Sequence, residues 1–361
     1  MQFKASFSSG LPRLLDELNI SLILTTYQAG KVILISSDGA AITQLLRDFD
    51  RPMGVALQGD MLALALRLSV AIFRNDGGLA ANYPKKPHTY DALYFPIALN
   101  KTDFIDTHDL FFTRHGLVAV NTAYSCLVKI DAGFSFQPVW RPAFISELEA
   151  SDRCHLNGMA VDDTGEIRYV TAFGATDSAE GWRTNKLQGG VVIDVHSNQL
   201  IAKGIGMPHS PRLYRGRLYL LSSATEALLE VDTANGRVET LATVNGFIRG
   251  LSFKGDYAFI GISKLRKSHT FGDLSIANKK IRAGVIVINL KTREKAGEII
   301  YEDDLQEIYD VHVLDGKRRP NILNLPMSDQ YRAMLTPQGA QWIVPENKPS
   351  GRVKAQQGVL S

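Results

Sequence analysis

Short apolar segments separated by polar turns repeat along nearly the whole chain, and few stretches show the 3.6-residue spacing of a helix. The clearest unit begins at His209. It continues through an Arg-Gly turn, an apolar strand at Leu218–Leu221, a turn of small residues, a third strand at Leu228–Val231 and an Asn-Gly turn. Asn-Gly between β-rich segments is typical of a hairpin. The pattern therefore predicts antiparallel four-stranded units joined by tight turns.

Units of this kind recur, each opened by its own first strand. Six first strands begin at Met53, His108, His155, His209, Arg249 and Tyr309. Repeats of about 40–50 residues with four strands each are typical of a β-propeller, whose repeats are called blades. The last first strand has no room for three further strands, but three β-rich segments precede the first unit, at Leu22–Thr25, Val32–Ile35 and Ile42–Leu46. We therefore predict an all-β, six-bladed propeller whose last blade is completed by N-terminal strands.

The boundaries of this domain follow from the same pattern. We predict an N-terminal extension at residues 1–19 with a short helix at Leu11–Leu18, a single propeller at residues 20–330, and a C-terminal extension at residues 331–361. The Pro- and aromatic-rich insertion Gly77–Phe104 is interpreted as a loop. Seven blades remain the alternative if that insertion contains a blade.

Composition and charge exclude several classes of protein. A chain of 361 residues with 45% hydrophobic and 21% charged residues is neither disordered nor collagen-like. No apolar run is long enough to span a membrane, and the first ten residues lack the apolar core of a secretion signal. Cys126 and Cys154 do not make a disulfide framework, and Cys154 is interpreted as a small buried thiol. These features predict a cytoplasmic protein.

The net charge of +3 is small and evenly spread, so it does not indicate a nucleic-acid partner. The most basic stretch, Lys264–Arg282, is interpreted as a solvated loop.

Three histidines occupy corresponding places in this scheme. In a propeller the first strands line the central channel and begin at one face, and His108, His155 and His209 open three of them. Imidazole is a good ligand for Fe, Zn, Mn and Cu. We therefore predict that the three rings converge on the axis and hold a divalent transition metal. Two alternatives stay open: polar side chains that merely hydrogen-bond one another around water, and a metal-free acid–base site.

Carboxylates and a phenol stand beside these histidines in the pattern. Asp109 follows His108, and Tyr309 and Asp310 open the sixth first strand. A carboxylate there can serve as a further metal ligand, an orienting group or a general base. Asp109, Asp310 and Tyr309 are therefore the candidate catalytic residues.

The remaining candidates concern substrate binding at the same opening. Arg212 and Arg249 are suited to an anionic small molecule or a peptide-derived substrate, although salt bridges to the channel aspartates explain them equally well. Trp182 and Arg183 lie in a loop that would cover the opening, where Trp182 is alternatively a packing anchor. Asn157, close to His155, completes the candidate set.

Four phrases resemble a family of bacterial conserved hypothetical proteins: DRCHLNGMAV (152–161), TAFGATDSAEGWR (171–183), MPHSPRLYRGRLYLL (207–221) and IYDVHVLDGKRRP (308–320). That resemblance covers about residues 12–330 and implies a propeller of unknown function, sometimes fused to tetratricopeptide repeats. The layout is also similar, more weakly, to six-bladed lactonases and strictosidine-synthase-like propellers. Those families hold a divalent cation on the axis with Glu, Asn and Asp ligands, which would give Asn157 such a role, although histidines replace most of that set here.

We expect from these observations a metal-dependent enzyme acting on a small anionic or peptide-derived substrate at the mouth of the channel. The alternative is a non-catalytic propeller that binds a ligand or a protein, since no known catalytic sequence motif is present. The sequence does not indicate an oligomeric state.

Overall fold

The computed structural model describes residues 3–264, 281–302, 305–325 and 332–343. Six antiparallel sheets of four ladder strands form a ring, so the protein is a six-bladed β-propeller, as predicted. We number the blades along the chain. Their strands, from the channel outward, are Val55–Gln58, Met61–Ala65, Ser69–Asn75 and Ala92–Lys101 (blade 1); Thr107–Thr113, Gly116–Asn121, Cys126–Lys129 and Gln137–Trp140 (blade 2); Leu156–Val161, Ile167–Ala172, Gly190–Asp194 and Leu200–Ile205 (blade 3).

The second half of the ring follows the same order. Its strands are Pro208–Tyr214, Arg217–Ser222, Ala227–Val231 and Val238–Thr243 (blade 4); Phe247–Lys254, Tyr257–Ser263, Gly284–Asn289 and Lys295–Tyr301 (blade 5); Asp310–Asp315, Ile20–Thr26, Lys31–Ser37 and Ile42–Asp48 (blade 6). Blade 6 thus joins one C-terminal strand to three N-terminal strands, with Thr25 opposite Asp310. This closure is the one predicted from the sequence, and it protects the sheet edges where the ring would otherwise open.

The hydrophobic core lies between the blades. Six apolar clusters each join two neighbouring sheets, for example blades 5 and 6 through Phe259, Val285, Leu22 and Leu24. The second and third strands of the blades consist of nearly continuous apolar residues, because both faces of each sheet pack against a neighbouring blade. The ring is therefore held together by burial at every interface.

Hydroxyl groups tie the inner ends of neighbouring blades together. Thr25 Oγ1 donates to the carbonyl oxygen of Met53 at 2.6 Å, and Thr122 Oγ1 donates to that of Leu156 at 2.6 Å. Corresponding bonds run from Ser223 to Ile248 and from Ser263 to Ile308. Each bond fixes the height at which the next inner strand begins, so it also fixes the side chains that open onto the channel.

Both ends of the chain add strands to the blades beside blade 6. Ala5–Phe7 pairs with the outer strand of blade 5, and Pro320–Ile322 pairs in parallel with the outer strand of blade 1. The N-terminal extension also contains the predicted helix, at Leu11–Glu17, whose Leu11 and Leu15 are buried against blades 5 and 6. The extension is therefore packed on the ring.

The insertion in blade 1 differs from the prediction of a loop over Gly77–Phe104. Only its first part is irregular, and it includes a short helix at Gly77–Ala81. Ala92–Lys101 is a ten-residue outer strand of blade 1. The Pro-rich start concealed this strand, whose exposed end lacks the alternation of a half-buried strand.

The C-terminal extension contributes a hairpin of Ala333–Thr336 and Gly339–Trp342 beside this insertion, where Trp342 Nε1 donates to the carbonyl of Leu79. Most of the basic stretch Lys264–Arg282 and all residues after 343 lie outside the described residues. Among the helices that are described, none has the length and apolar character needed to cross a membrane.

Candidate functional site

A cavity of about 860 Å³, which we call the mouth, opens at the face where the inner strands begin. Its wall combines three imidazoles, several aromatic rings and a few charged groups. The residues are His108, His155, His209, Tyr27, Phe104, Phe173, Trp182, Phe247, Tyr309, Met53, Met207, Asp106, Asp152, Glu180, Glu307, Arg183, Arg249, Ala123, Ala150, Ser151, Ala179, Ser263 and Lys264. The structure therefore brings the three predicted histidines to one cavity, although their common function as metal ligands stays a prediction.

His108 and His209 are held by the same device in blades 2 and 4. Nδ1 of His108 lies 2.9 Å from the carbonyl oxygen of Asp106 and 2.9 Å from Thr122 Oγ1. Nδ1 of His209 lies 2.9 Å from the carbonyl oxygen of Met207 and 2.7 Å from Ser223 Oγ. In both blades the carbonyl lies two residues before the histidine and the hydroxyl fourteen after it.

The hydrogen-bond partners of Nδ1 determine the tautomer of His108 and of His209. A carbonyl oxygen only accepts, and the hydroxyl protons of Thr122 and Ser223 are donated to carbonyls of the next blade. Nδ1 must therefore carry the proton in His108 and His209, because every partner of that nitrogen accepts from it. In a neutral ring Nε2 then presents a lone pair on the side away from the wall.

His155 has a carboxylate partner instead. Asp152 Oδ2 lies 2.9 Å from Nδ1 of His155 and also accepts the indole N–H of Trp182 at 3.0 Å. The His155 ring centre lies 4.4 Å from those of Trp182 and Phe173. Both Asp152 and His155 have left-handed backbone, with φ of 45° and 49°. Strain of this kind clusters at functional sites.

Burial lowers the pKa of His108, and it lowers that of His209 well below the usual 6.5, with the positive charge of Arg249 acting in the same direction. These two imidazoles are therefore neutral at physiological pH. The ring of His108 lies 4.9 Å from that of His155, centre to centre, so a neutral imidazole stands beside one that is paired with a carboxylate.

Below the mouth the channel narrows to a second cavity of about 10 Å³, which we call the neck. Its wall is polar throughout: His108, Asp109, Asn157, His209, Ser210, Arg212, Arg249, Tyr309 and Asp310. Blade 3 contributes Asn157 here, while His155 lines only the mouth. The blade pattern in the sequence predicts His155 at the level of His108 and His209. In the structure Asn157 takes that level, and His155 lies two residues before it, ahead of the strand Leu156–Val161.

Glycines allow the inner strands to approach closely around the neck. A Cβ on Gly158 would meet Pro211 Cδ at 2.5 Å, and one on Gly250 would meet Asp310 Cα at 2.8 Å. Gly250 also has a φ of 77°. A larger residue at either position would push neighbouring blades apart.

Arg212 lies in the neck and not at the mouth, and both of its terminal nitrogens bind the carboxylate of Asp109, at 2.8 and 3.2 Å. Asp109 also accepts the backbone N–H of Met159 and Leu110. Of the two interpretations of Arg212, the geometry corresponds to the salt bridge. Arg212 and Asp109 therefore neutralise each other between blades 2 and 4.

Asp310 is similarly engaged. It accepts the N–H of Val55 at 3.0 Å, and its Oδ2 lies 3.0 Å from Nε2 of His312. Asp310 is buried, with Arg212 at 4.0 Å. These contacts make both channel aspartates structural partners of neighbouring blades, which leaves little of either carboxylate facing the mouth.

Arg249 does line the mouth, where its guanidinium forms a salt bridge with Glu307 and lies 4.2 Å from the centre of the Tyr309 ring. Arg183 lies over the Trp182 ring at 4.5 Å and pairs with Glu180 at 2.8 Å. Trp182 is itself 3% exposed. It is therefore a packing anchor that supports His155 at the same time.

No group of three or more His, Cys, Asp or Glu side chains among the described residues is arranged to hold a metal ion. His108 and His155 are close, but the ring of Phe173 contacts both His155, at 4.4 Å, and His209, at 5.1 Å. Cys154, next to His155, is fully buried, and burial raises its pKa to about 12.

The candidate site residues predicted from the sequence do not include Asp152 and Glu307, which pair with site residues, or the hydroxyls of Thr122 and Ser223. One signal was present for the hydroxyls, because both follow a first-strand histidine by fourteen residues. The carboxylates carry no such signal, since each lies in a loop outside the repeated pattern.

A scan against protein families matches residues 9–323 to a domain of unknown function, DUF4915. The chain belongs to this family. A search of curated proteins gave no match. Membership of this family agrees with the resemblance to conserved hypothetical propellers, and the description of the family assigns no chemistry.

Solved structures show similarity of fold. A chain of a nidogen/laminin complex is 10% identical with a TM-score of 0.54, over 82% of this chain and 99% of that one. A protein of unknown function from Bacteroides caccae is 8% identical with a TM-score of 0.50, over 81% and 98%. TolB from Acinetobacter baumannii is 12% identical with a TM-score of 0.47, over 83% and 66%. At such identities the similarity concerns the fold alone.

Proposed function

We propose that the mouth is the active site of an enzyme that acts on a small peptide-derived molecule by imidazole acid–base chemistry. The observation that carries the proposal is the contrast between two adjacent rings. His108 is buried and neutral, whereas His155 is paired with the carboxylate of Asp152. Two adjacent imidazoles with different hydrogen-bond partners can take different parts in a proton transfer.

The two rings take different roles in this proposal. Neutral His108 accepts a proton through Nε2, and His155 delivers one, because the Asp152 carboxylate stabilises positive charge on its ring. His209 provides a second neutral Nε2. The wall acceptors keep all three Nδ1 atoms occupied, so proton exchange is directed to the side that faces the cavity.

The charges of the mouth favour a peptide-derived substrate over a strongly anionic one. Arg249 is paired with Glu307 and Arg212 with Asp109, so neither guanidinium offers an uncompensated charge. The aromatic walls around Phe173 and Trp182 suit apolar or aromatic side chains. A cavity of about 860 Å³ has room for a ligand of that size.

Mass spectrometry of a defined panel of esters, lactones, amides and short peptides tests this function. We expect the protein to convert at least one compound, and His155→Ala to slow that conversion by about 10²-fold or more. His196→Ala, at an exposed histidine in a turn of blade 3, is the matched control and should keep the full rate. A protein that binds compounds in the mouth but converts none would contradict an enzyme and favour the non-catalytic binding function.

A divalent transition metal is a second candidate, favoured by the spacing of His108 and His155. Two imidazoles that share a metal through Nε2 place their ring centres about 3 Å from it, so 4.9 Å between centres corresponds to an angle of roughly 105° at the metal. Metal-bound histidines usually donate Nδ1–H to a carbonyl or carboxylate, as these do. His209 remains the third predicted ligand, and its ring contacts Phe173 at 5.1 Å.

Metal analysis of protein purified without a histidine tag tests the second candidate. This second candidate predicts about one Fe, Zn, Mn or Cu per chain, lost in His155→Ala and kept in His196→Ala. Absence of metal from the untagged protein, also after incubation with each of the four ions, would contradict metal dependence.

A further inference from the structure

Two residues that line the neck each have a buried donor without a hydrogen-bond partner among the described residues. The donors are Nδ2 of Asn157 and Nε of Arg212. Asn157 is 3% exposed and Arg212 is 8% exposed, and both line the same small cavity. A buried polar group without a hydrogen bond costs about 1–3 kcal/mol, so two at one point favour an occupant that accepts from both.

Two acceptors line the same cavity. Because Nδ1 of His108 and of His209 is turned into the wall, Nε2 of each ring carries a lone pair on the channel side. Both rings line the neck as well as the mouth. Residues of blades 2, 3 and 4 thus bring two donors and two acceptors to the wall of one small cavity.

Size and charge select the occupant. The neck has a volume of about 10 Å³, which is close to the least that holds one water molecule. A halide or an anionic oxygen has no proton to donate to the two imidazoles. A metal cation cannot accept a hydrogen bond from the N–H groups of Asn157 and Arg212, so it would leave both donors without a partner. Water alone has two protons and two lone pairs to match this arrangement.

We propose that the neck binds one water molecule and that this water is the nucleophile of a hydrolysis carried out at the mouth. The second part rests on the proposed function. The substrate class is then a molecule with a hydrolysable acyl or similar carbon, held against the aromatic walls with that carbon above the neck.

The histidines of the mouth can accept and donate every proton that the proposed hydrolysis moves. The water gives up one of the two hydrogen bonds that it accepts, and the freed lone pair of its oxygen forms a bond to the electrophilic carbon of the substrate. One water proton passes to Nε2 of His108. The bond to the leaving group breaks with its electron pair, and the leaving group takes a proton from Nε2 of His155, whose Nδ1–H stays bound to Asp152. A proton then returns from His108 to His155, whose ring centres lie 4.9 Å apart.

A high-resolution crystal structure of the untagged protein tests the water site. We expect one water oxygen at hydrogen-bonding distance, about 2.7–3.2 Å, from Asn157 Nδ2, Arg212 Nε and Nε2 of His108 and His209. Asn157→Leu should expel this water, while Asn157→Ser, which keeps a donor, should retain it. A neck that contains no density, a halide after bromide soaking, or a metal ion would overturn the site.

Reaction in ¹⁸O-labelled water tests the nucleophile. A compound of the panel that the protein converts should gain one labelled oxygen, and Asn157→Leu should lower the rate at least tenfold more than Asn157→Ser. Conversion without label would overturn the nucleophile role and leave the acid–base function intact. Water in the neck without any conversion would overturn the proposed function and the nucleophile role together, while the water site itself would stand.

Discussion

Asp152 and His155, three residues apart, form a carboxylate–imidazole pair in which one oxygen, Oδ2, accepts both the ring N–H of His155 and the indole N–H of Trp182. The shared acceptor fixes His155 between Trp182 and Phe173, so the ring has one orientation at the wall of the mouth. Packing and hydrogen bonding thus act on the same side chain.

Asp152→Asn tests the importance of this pair. The amide keeps the shape but does not stabilise charge on His155, so turnover should fall by roughly 10²–10⁴-fold. Imidazole ¹⁵N NMR would show the change at His155 independently of any substrate. A rate and a tautomer that match those of the unaltered protein would show that Asp152 only packs. His196→Ala serves again as the control for general effects.

The buried imidazoles predict a pH dependence of stability. Because burial lowers the pKa of His108 and His209 in the folded state, the unfolded chain binds more protons below the usual value of 6.5. The free energy of unfolding should therefore be highest above about pH 6.5 and should fall as the pH is lowered from 7 to 5. Urea denaturation at several pH values measures it.

His209→Gln separates this contribution from that of other groups. Glutamine does not titrate, so the variant should lose less stability between pH 7 and pH 5 than the unaltered protein does, whatever its absolute stability. Equal slopes for the two proteins would contradict a neutral, buried His209.

Removal of Arg212 should be costly. Arg212→Met leaves Asp109 buried without its cation and should lower the free energy of unfolding by about 3–5 kcal/mol. Adding Asp109→Asn to Arg212→Met removes the unpaired charge. The double variant should therefore be more stable than Arg212→Met alone. Denaturant titration of the three proteins gives this comparison, and a double variant less stable than the single one would contradict the pairing.

The hydroxyl ties between blades can be tested at Thr25. Thr25→Val keeps the shape but removes the donor to Met53 and the acceptor of the Asp310 N–H, which should cost roughly 1–3 kcal/mol. Thr43→Val, on an exposed position of the same blade, should change stability by less than about 0.5 kcal/mol. Similar small effects at both sites would show that the ties do not contribute.

The two thiols should be unreactive in the folded protein. Cys126 and Cys154 are buried, and burial raises the pKa of each to about 12. Ellman's reagent should therefore detect no thiol in the native protein and two after denaturation. Rapid modification of either cysteine under native conditions would contradict this burial.

The sequence by itself determined the ring and the height of several side chains on it. Alternating apolar segments of fixed spacing bury both faces only when blades pack side by side, which predicts six sheets and the closure by N-terminal strands. The inner strands begin at one face, so His108 and His209 were correctly assigned to the same opening. The sequence pattern also places His155 there, but at the wrong level. The strand pairing aligns Leu156 with Thr107 and Pro208, so Asn157 takes the level of His108 and His209.

Only the tertiary structure decided which charged groups meet. The pairs Arg212–Asp109 and Arg249–Glu307 join residues 103 and 58 positions apart, and the width of the channel and the twist of each blade bring them into contact. Asp152 lies near His155 in sequence, yet its carboxylate reaches the ring because of the left-handed backbone at both residues. Apolar periodicity is a local property of the chain, whereas the pairing of buried charges depends on distances between blades that no local pattern records.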